Sequence, residues 1–305
     1  MMAMVDPVAT VIIPTFNHGT TLSYAIATAL SQTVPLEIFI IGDGVPESSR
    51  AMIASLAATN QHIRFFDHPK HARRGEPYRH AALQEARGRI VCYLCDRDLW
   101  LPNHVEHMAA LLENADFAHS LSLHILPEQG YVFFAGNLTM PEHRLRMLTR
   151  FNRVAFSCAA HTLNFYRRLE RGWETTPPGK PTDWHMFQQF LAREDCRCTS
   201  SNYPSAITFP SPPRLEWSEE QRVAELQIWA TRLTDSNARQ ALVQEILEAA
   251  MLDRDHELAE AYEVSRTAEQ ILSDLYQSPL WRLRLRILGI PGLRPLKNML
   301  YKLAQ

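Results

Sequence analysis

The chain has 305 residues, 46% hydrophobic and 21% charged, with a net charge of −2. That balance excludes a disordered polyelectrolyte and gives no overall attraction to nucleic acid; it describes one large α/β domain with an appendage, or two domains. Five cysteines, an odd number, favour a reducing compartment.

Val8 to Pro14 is an apolar, β-branched run that stops at proline and reads as a first strand. Asn17-His18-Gly19-Thr20 is turn and cap chemistry, and Leu22 to Leu30 then carries apolar residues at helical spacing. Leu36 to Ile41 reads as a second buried strand running into Gly42-Asp43-Gly44. A helix over Ser48 to Ala58, a short strand at Ile63 to Phe66, a helix over His80 to Ala86 and a fourth strand at Ile90 to Leu94 follow. Strands alternating with helices predict a parallel sheet with crossover helices, whose ligands bind beyond the carboxyl ends of the strands. Asn17, Asp43 and Asp96 all fall just after strand ends and are expected on one rim.

The fourth strand empties into Asp96-Arg97-Asp98, followed by Trp100 and Pro102. Carboxylates at the end of a buried strand need a cation. Oxygen ligands of this kind suit Mg²⁺ or Mn²⁺ with phosphate oxygens completing the shell. Arg97 complicates that reading. Cys92 and Cys95 have CxxC spacing but no second ligand pair, and read as buried thiols.

Residues 116–213 are more mixed, with a β-like stretch at Tyr131 to Phe134. A clear helix start stands at Pro181-Thr182-Asp183-Trp184, with Thr182 the expected N-cap. Phe209 to Pro213 reads as a boundary. From Glu219 to Asp274 there are thirteen acidic and five basic residues, in a stretch that reads as two or three helices. From Ser278 there are six basic residues and no acidic ones. The expected divisions are 1–215 for the main domain (1–115 nucleotide-binding, 116–215 acceptor-binding), 216–277 for a helical extension and 278–305 for a basic amphipathic tail. The tail suits peripheral contact with an anionic membrane, and a core-docking or oligomerising helix accounts for it equally. No signal peptide and no apolar run of the ~18 residues needed for a span is evident. The expected location is cytoplasmic, at the inner face of the membrane.

Four segments in order resemble family 2 glycosyltransferases of the GT-A fold: Val11-Ile12-Ile13-Pro14-Thr15-Phe16-Asn17 with Leu30-Ser31-Gln32-Thr33 downstream; Ile41-Gly42-Asp43-Gly44; Tyr78-Arg79-His80-Ala81-Ala82-Leu83 leading through Ala86-Arg87-Gly88; and Thr182-Asp183-Trp184. The resemblance spans about residues 8 to 190. It implies a Rossmann-like, mostly parallel sheet flanked by helices. It also implies an inverting transferase moving a sugar from a nucleotide-diphosphate donor, UDP-linked, to a glycan or lipid-linked acceptor in surface polysaccharide assembly. On it, Asp43 holds the base, Thr15, Asn17 and Arg79 line the nucleotide, Asp96 and Arg97 meet the donor, and Asp96 and Asp98 hold Mn²⁺ or Mg²⁺. Asp183 is the catalytic base, with Trp184 beside it toward the acceptor. His161, after a small-residue stretch in the acceptor half, reads as a satisfied structural histidine or as an acceptor contact. The sequence departs from the family at Gly42, Thr182, Cys95 and above all Arg97, which stands where relatives carry a metal-ligating aspartate. A degenerate GT-A domain that binds a nucleotide-sugar or a partner without catalysis is the alternative. A nucleotidyltransferase fits less well, because no glycine-rich phosphate loop follows the first strand. Nucleic acid is not expected as a partner; a homo-oligomer is compatible with the chain.

Overall fold

The computed structural model describes residues 6–128, 130–134 and 136–281. In chain order the elements are β1 (Ala9–Thr15), α1 (Gly19–Leu30), β2 (Leu36–Asp43), α2 (Glu47–Thr59), β3 (Ile63–His68), α3 (Glu76–Gln84) and β4 (Ile90–Tyr93). There follow β5 (Leu99–Trp100), α4 (His104–Leu111), β6 (Phe117–His119), β7 (Ser122–Ile125), β8 (Tyr131–Phe134) and α5 (Pro141–Thr149). The last are β9 (Ala159–Thr162), α6 (Leu163–Tyr166), α7 (Thr182–Leu191), β10 (Cys198–Ser200), β11 (Ala206–Ile207), α8 (Glu219–Thr234) and α9 (Ser236–Gln277).

The central sheet runs β10-β6-β9-β4-β1-β2-β3. β3, β2, β1 and β4 are parallel, while β9 lies antiparallel between β4 and β6. Side-chain alternation sends each strand to two cores. Val11, Ile13, Ile38, Ile40 and Cys92 face Leu22, Ile26, Ile53 and Met108 of α1, α2 and α4. Ile12, Phe39, Ile41, Val91 and Tyr93 face Leu83, Met147, Phe187 and Phe190 of α3, α5 and α7. This is the mostly parallel, helix-flanked sheet expected. Its carboxyl rim carries the loops after β1, β2 and β4.

Two expectations are corrected here. Thr182 is the first helical residue of α7 and not its N-cap; Pro181 holds that place, in extended conformation, with no side-chain cap. The chain divides into compact units at Met1–Ala249 and Ala250–Gln305, so residues 216–249 belong to the first unit and not to a separate extension. Leu226, Trp229 and Leu233 of α8 and Leu242 and Ile246 of α9 bury a third core with Leu99, Leu123, Ile207 and Phe209. A capping box between Ser218 and Gln221 starts α8. In the second unit α9 continues to Gln277 and exposes Leu258, Tyr262, Val264 and Ile271. The amphipathic tail expected at 278–305 lies outside the described residues from 282 onward. Among the described residues no helix is long and apolar enough to cross a membrane.

Candidate functional site

The rim site starts at β2. Asp43 ends that strand with 6% of its surface exposed. Its carboxylate accepts from Lys70 Nζ at 2.5 Å and from the His71 amide at 2.6 Å. Lys70 also donates to the His71 and Arg73 carbonyls, which folds the loop after β3 over the carboxylate. Gly75 makes this possible. Its φ is +67°, and a Cβ there would sit 3.2 Å from Asp43 Cβ and Cγ. An L-residue in that conformation costs about 1–2 kcal/mol before any steric push. Gly75→Ala is therefore expected to lower stability by about that amount, read as a shift in the urea midpoint at unchanged slope.

The same loop places two charged groups that burial makes consequential. Glu76 is fully buried and accepts from the Arg74 amide at 2.9 Å and the Thr176 amide at 3.3 Å. Burial alone would raise its carboxyl; those amides and Arg79 outweigh it and hold the group below its ordinary value. Arg79 is 4% exposed and lies over the Trp173 ring at 4.6 Å. One guanidinium nitrogen donates to the Arg74 carbonyl, while Nε and Nη1 have no partner among the described residues. Burial lowers the Arg79 pKa although Glu76, Tyr93 and Asp43 pull it upward. Buried guanidinium N–H groups without acceptors are costly, so this is a position for an anionic or carbonyl-bearing ligand.

Beyond β4, Asp96 and Asp98 part company. Asp96 pairs with His18 Nδ1 at 3.2 Å and stands 3.7 Å from Arg97. Burial would raise its carboxyl, but His18, Arg97 and Thr15 hold it below the ordinary value. Asp98 is spent on structure. Its Oδ2 accepts from Ser157 at 2.5 Å and its Oδ1 from the Phe209 amide at 2.9 Å, and burial raises its pKa despite these bonds. Arg97 Nε donates to the Phe209 carbonyl at 2.9 Å. Thr15 is buried at the end of β1, and Asn17 is exposed in the loop that follows.

Asp183 sits in the first turn of α7, half-buried. Its Oδ1 accepts from the Trp184 amide at 2.8 Å and its Oδ2 from Asn152 at 3.1 Å. Burial raises its pKa, against the pull of the Trp184 amide, Arg74 and Arg79. Trp184 donates its indole N–H to the Met147 carbonyl at 2.6 Å and lies under Lys180.

The structure ties the loop after β3, which covers Asp43, to the segment entering α7, which carries Asp183: Arg73 donates to the Pro177 and Lys180 carbonyls, and Glu76 accepts from the Thr176 amide. It also places Thr15, Asp96 and Arg97 together. It does not bring His161 to the site, which corrects the expectation that this residue meets an acceptor. His161 is fully buried. Its Nε2 bonds the Tyr93 hydroxyl at 2.7 Å, its Nδ1 meets the Thr162 carbonyl at 3.0 Å, and its ring stacks on Tyr166.

Sequence reasoning missed His18, Lys70 and Glu76. Lys70 stands within a visibly basic stretch, His68 to Arg74, and that stretch was the available signal. Beside the rim, Asn17, His18, Thr21, Leu215, Trp217 and Arg222 line a cavity of about 320 Å³.

The family model described as "Glycosyl transferase family 2" matches residues 10–173. The chain belongs to glycosyl transferase family 2. Two curated relatives, each described as "Uncharacterized glycosyltransferase", match part of it. The one from Rickettsia bellii is 29% identical over 107 residues, 35% of this chain and 15% of the relative. The one from Rickettsia felis is 27% identical over 111 residues, 36% of this chain and 18% of the relative. Among solved structures, S. aureus TarS 1–349 in complex with UDP-GlcNAc superposes with a TM-score of 0.53 at 13% identity, covering 66% of this chain and 58% of that one. S. aureus TarS gives 0.52 at 13%, covering 76% and 44%. At that identity the likeness establishes the fold: this is a family 2 domain of GT-A architecture, and it matches only part of its relatives' length.

Whether the rim suits a divalent cation is a question of donor chemistry. Among the described residues no three His, Cys, Asp or Glu side chains converge as ligands. Asp98 has both oxygens engaged, and Asp96 is flanked by His18 and Arg97. These residues do not fit Mn²⁺ or Mg²⁺, and the pair Asp96 and Asp98 is not the ligand set the sequence led us to expect. The cause is physical: a strand-end carboxylate can be satisfied by a hydroxyl, an amide or a guanidinium as well as by a metal.

Proposed function

We propose that this family 2 domain is an inverting glycosyltransferase that moves a sugar from a nucleotide-diphosphate donor, UDP-linked, to a glycan or lipid-linked acceptor in surface polysaccharide assembly. The observation that carries the reading is Asp183: a half-buried carboxylate in the first turn of α7, held by the Trp184 amide and Asn152, with its pKa raised by burial. A carboxylate whose pKa burial has raised is a stronger proton acceptor than a free aspartate.

In this reading Asp43 and the Lys70 loop receive the base, and Thr15, Asn17 and Arg79 line the nucleotide. Asp183 takes the proton of the acceptor hydroxyl as that oxygen attacks the anomeric carbon. The bond from that carbon to the diphosphate oxygen breaks, and the diphosphate leaves with the electron pair. Trp184 offers a partly buried aromatic face beside the base, suited to a sugar ring. TarS was solved with UDP-GlcNAc, which supports a nucleotide-sugar as the ligand class.

The test is turnover by the full chain with a panel of UDP- and GDP-sugars, followed as release of nucleoside diphosphate. Release from at least one donor is expected. Tight nucleotide binding without release from any donor contradicts the reading and favours a binding module. Asp43→Ala sharpens the assignment. It is expected to raise the KM for the donor about tenfold with kcat little changed, because the lost contact lies far from the bond that breaks.

A further inference from the structure

We infer that the diphosphate seat of this chain is metal-free, formed by guanidinium and imidazole groups where a divalent cation would otherwise stand. The inference rests on the nucleotide-sugar reading above and names how that site neutralises its ligand.

The two carboxylates at the end of β4 are already committed. Asp98 ties Ser157 to the Phe209 amide, a purely architectural task that joins the loop after β4 to the segment entering α8. Asp96 has a neighbour on each oxygen, the His18 imidazole at 3.2 Å and the Arg97 guanidinium at 3.7 Å. A divalent cation brought to Asp96 would face both of those groups. The Arg97 guanidinium carries a fixed positive charge, which opposes a second cation beside the same carboxylate.

The surroundings favour an anion for the same reason. Arg97 is fixed through Nε to the Phe209 carbonyl, and it lines a pocket with His18, Thr21 and Arg222. His18, Thr21 and Arg222 also line the neighbouring cavity of about 320 Å³. Arg222 donates to the Trp217 and Arg214 carbonyls and forms no ion pair with any carboxylate among the described residues. Glu219 lines that cavity but accepts from the Thr20 amide and hydroxyl. The rim beside Asp96 therefore presents two guanidinium groups, Arg97 at 3.7 Å from Asp96 and Arg222 held by carbonyls. Guanidinium forks suit phosphate oxygens geometrically as well as electrostatically.

Calorimetry of the full chain with UDP and with GDP tests this, first in excess EDTA and then with saturating Mn²⁺ or Mg²⁺. The wild-type Kd is expected to agree within about threefold under all conditions. Arg97→Ala and Arg222→Gln are each expected to weaken binding about tenfold in EDTA. Circular dichroism confirms that each variant is folded, and the wild-type metal comparison stands without either. Binding that requires metal, or tightens tenfold or more with it, overturns the metal-free seat alone. Full affinity in both variants does the same. No binding of either nucleotide under any condition overturns this inference together with the nucleotide-sugar reading.

Discussion

Asp183→Asn is expected to lower transfer by about 10²- to 10⁴-fold in kcat, the range for removal of a general base with the substrate sites left intact. The Kd for UDP should stay near that of the wild type, since among the described residues Asp183 bonds only Trp184 and Asn152. The fold should survive, and the sign follows from the pKa. Burial raises the Asp183 carboxyl above its ordinary value. A raised folded-state pKa contributes stability below the unfolded value of about 3.9 and loses it as pH rises through the folded value. At neutral pH the raised pKa is thus a net cost to folding, and the neutral amide relieves it. A thermal midpoint that is unchanged or higher, with activity lost, separates a catalytic role from a structural one. The rate should also fall as pH drops through the raised pKa, placing the acid limb above the position of a free aspartate. A limb at or below that position contradicts the assignment.

Arg214→Met is the substitution with the largest expected effect on stability. Arg214 is 2% exposed and makes a two-pronged pair with Glu225 of α8, at 2.6 Å and 2.5 Å. It also donates to the Pro210 and Ile125 carbonyls at 3.0 Å each. Removing one partner of a buried pair leaves the other charge without compensation and costs about 3–5 kcal/mol. Urea unfolding should show that loss. The double variant Arg214→Met, Glu225→Leu should recover much of it, because it removes the stranded carboxylate as well. The consequence reaches the site: Ser211, Leu215, Trp217 and Arg222 wall the cavity next to the rim. Loosening the segment that carries them should weaken nucleotide binding even in molecules that remain folded. A single variant as stable as wild type would show that Arg214 does not anchor α8.

Much of this was legible in the chain. β1, β2 and β4 are largely apolar runs, and a run buried on both faces leaves little choice of structure. Asp43, Asp96 and Asp183 stood out because they interrupt or follow such runs at element boundaries. What the chain concealed were contacts between residues distant in sequence. Nothing local distinguishes Lys70 from the arginines near it, yet its Nζ reaches Asp43. Likewise nothing local reveals that Asp98 is consumed by Ser157 and the Phe209 amide while Asp96 is left between His18 and Arg97.

His161 misled for a related reason. A histidine after Ser157-Cys158-Ala159-Ala160 offers no sign that β9 inserts antiparallel between β4 and β6 and buries it against Tyr93 and Tyr166. The glutamate-rich composition of residues 219–249 suggested an appendage, whereas Leu226, Trp229 and Leu233 form one helical stripe that closes the third core. The spacing carried that signal, and the acidic outer face obscured it.

The central claim is that this domain transfers sugar with inversion, using Asp183 as base. Proton NMR of the anomeric centre during turnover of a UDP-sugar by the full chain tests it most directly. The account predicts that nucleoside diphosphate release accompanies a product whose first-formed anomer is inverted relative to the donor, and that Asp183→Asn abolishes that signal. A first-formed product that retains the donor's configuration, or an inverted one formed at the wild-type rate by Asp183→Asn, would contradict it.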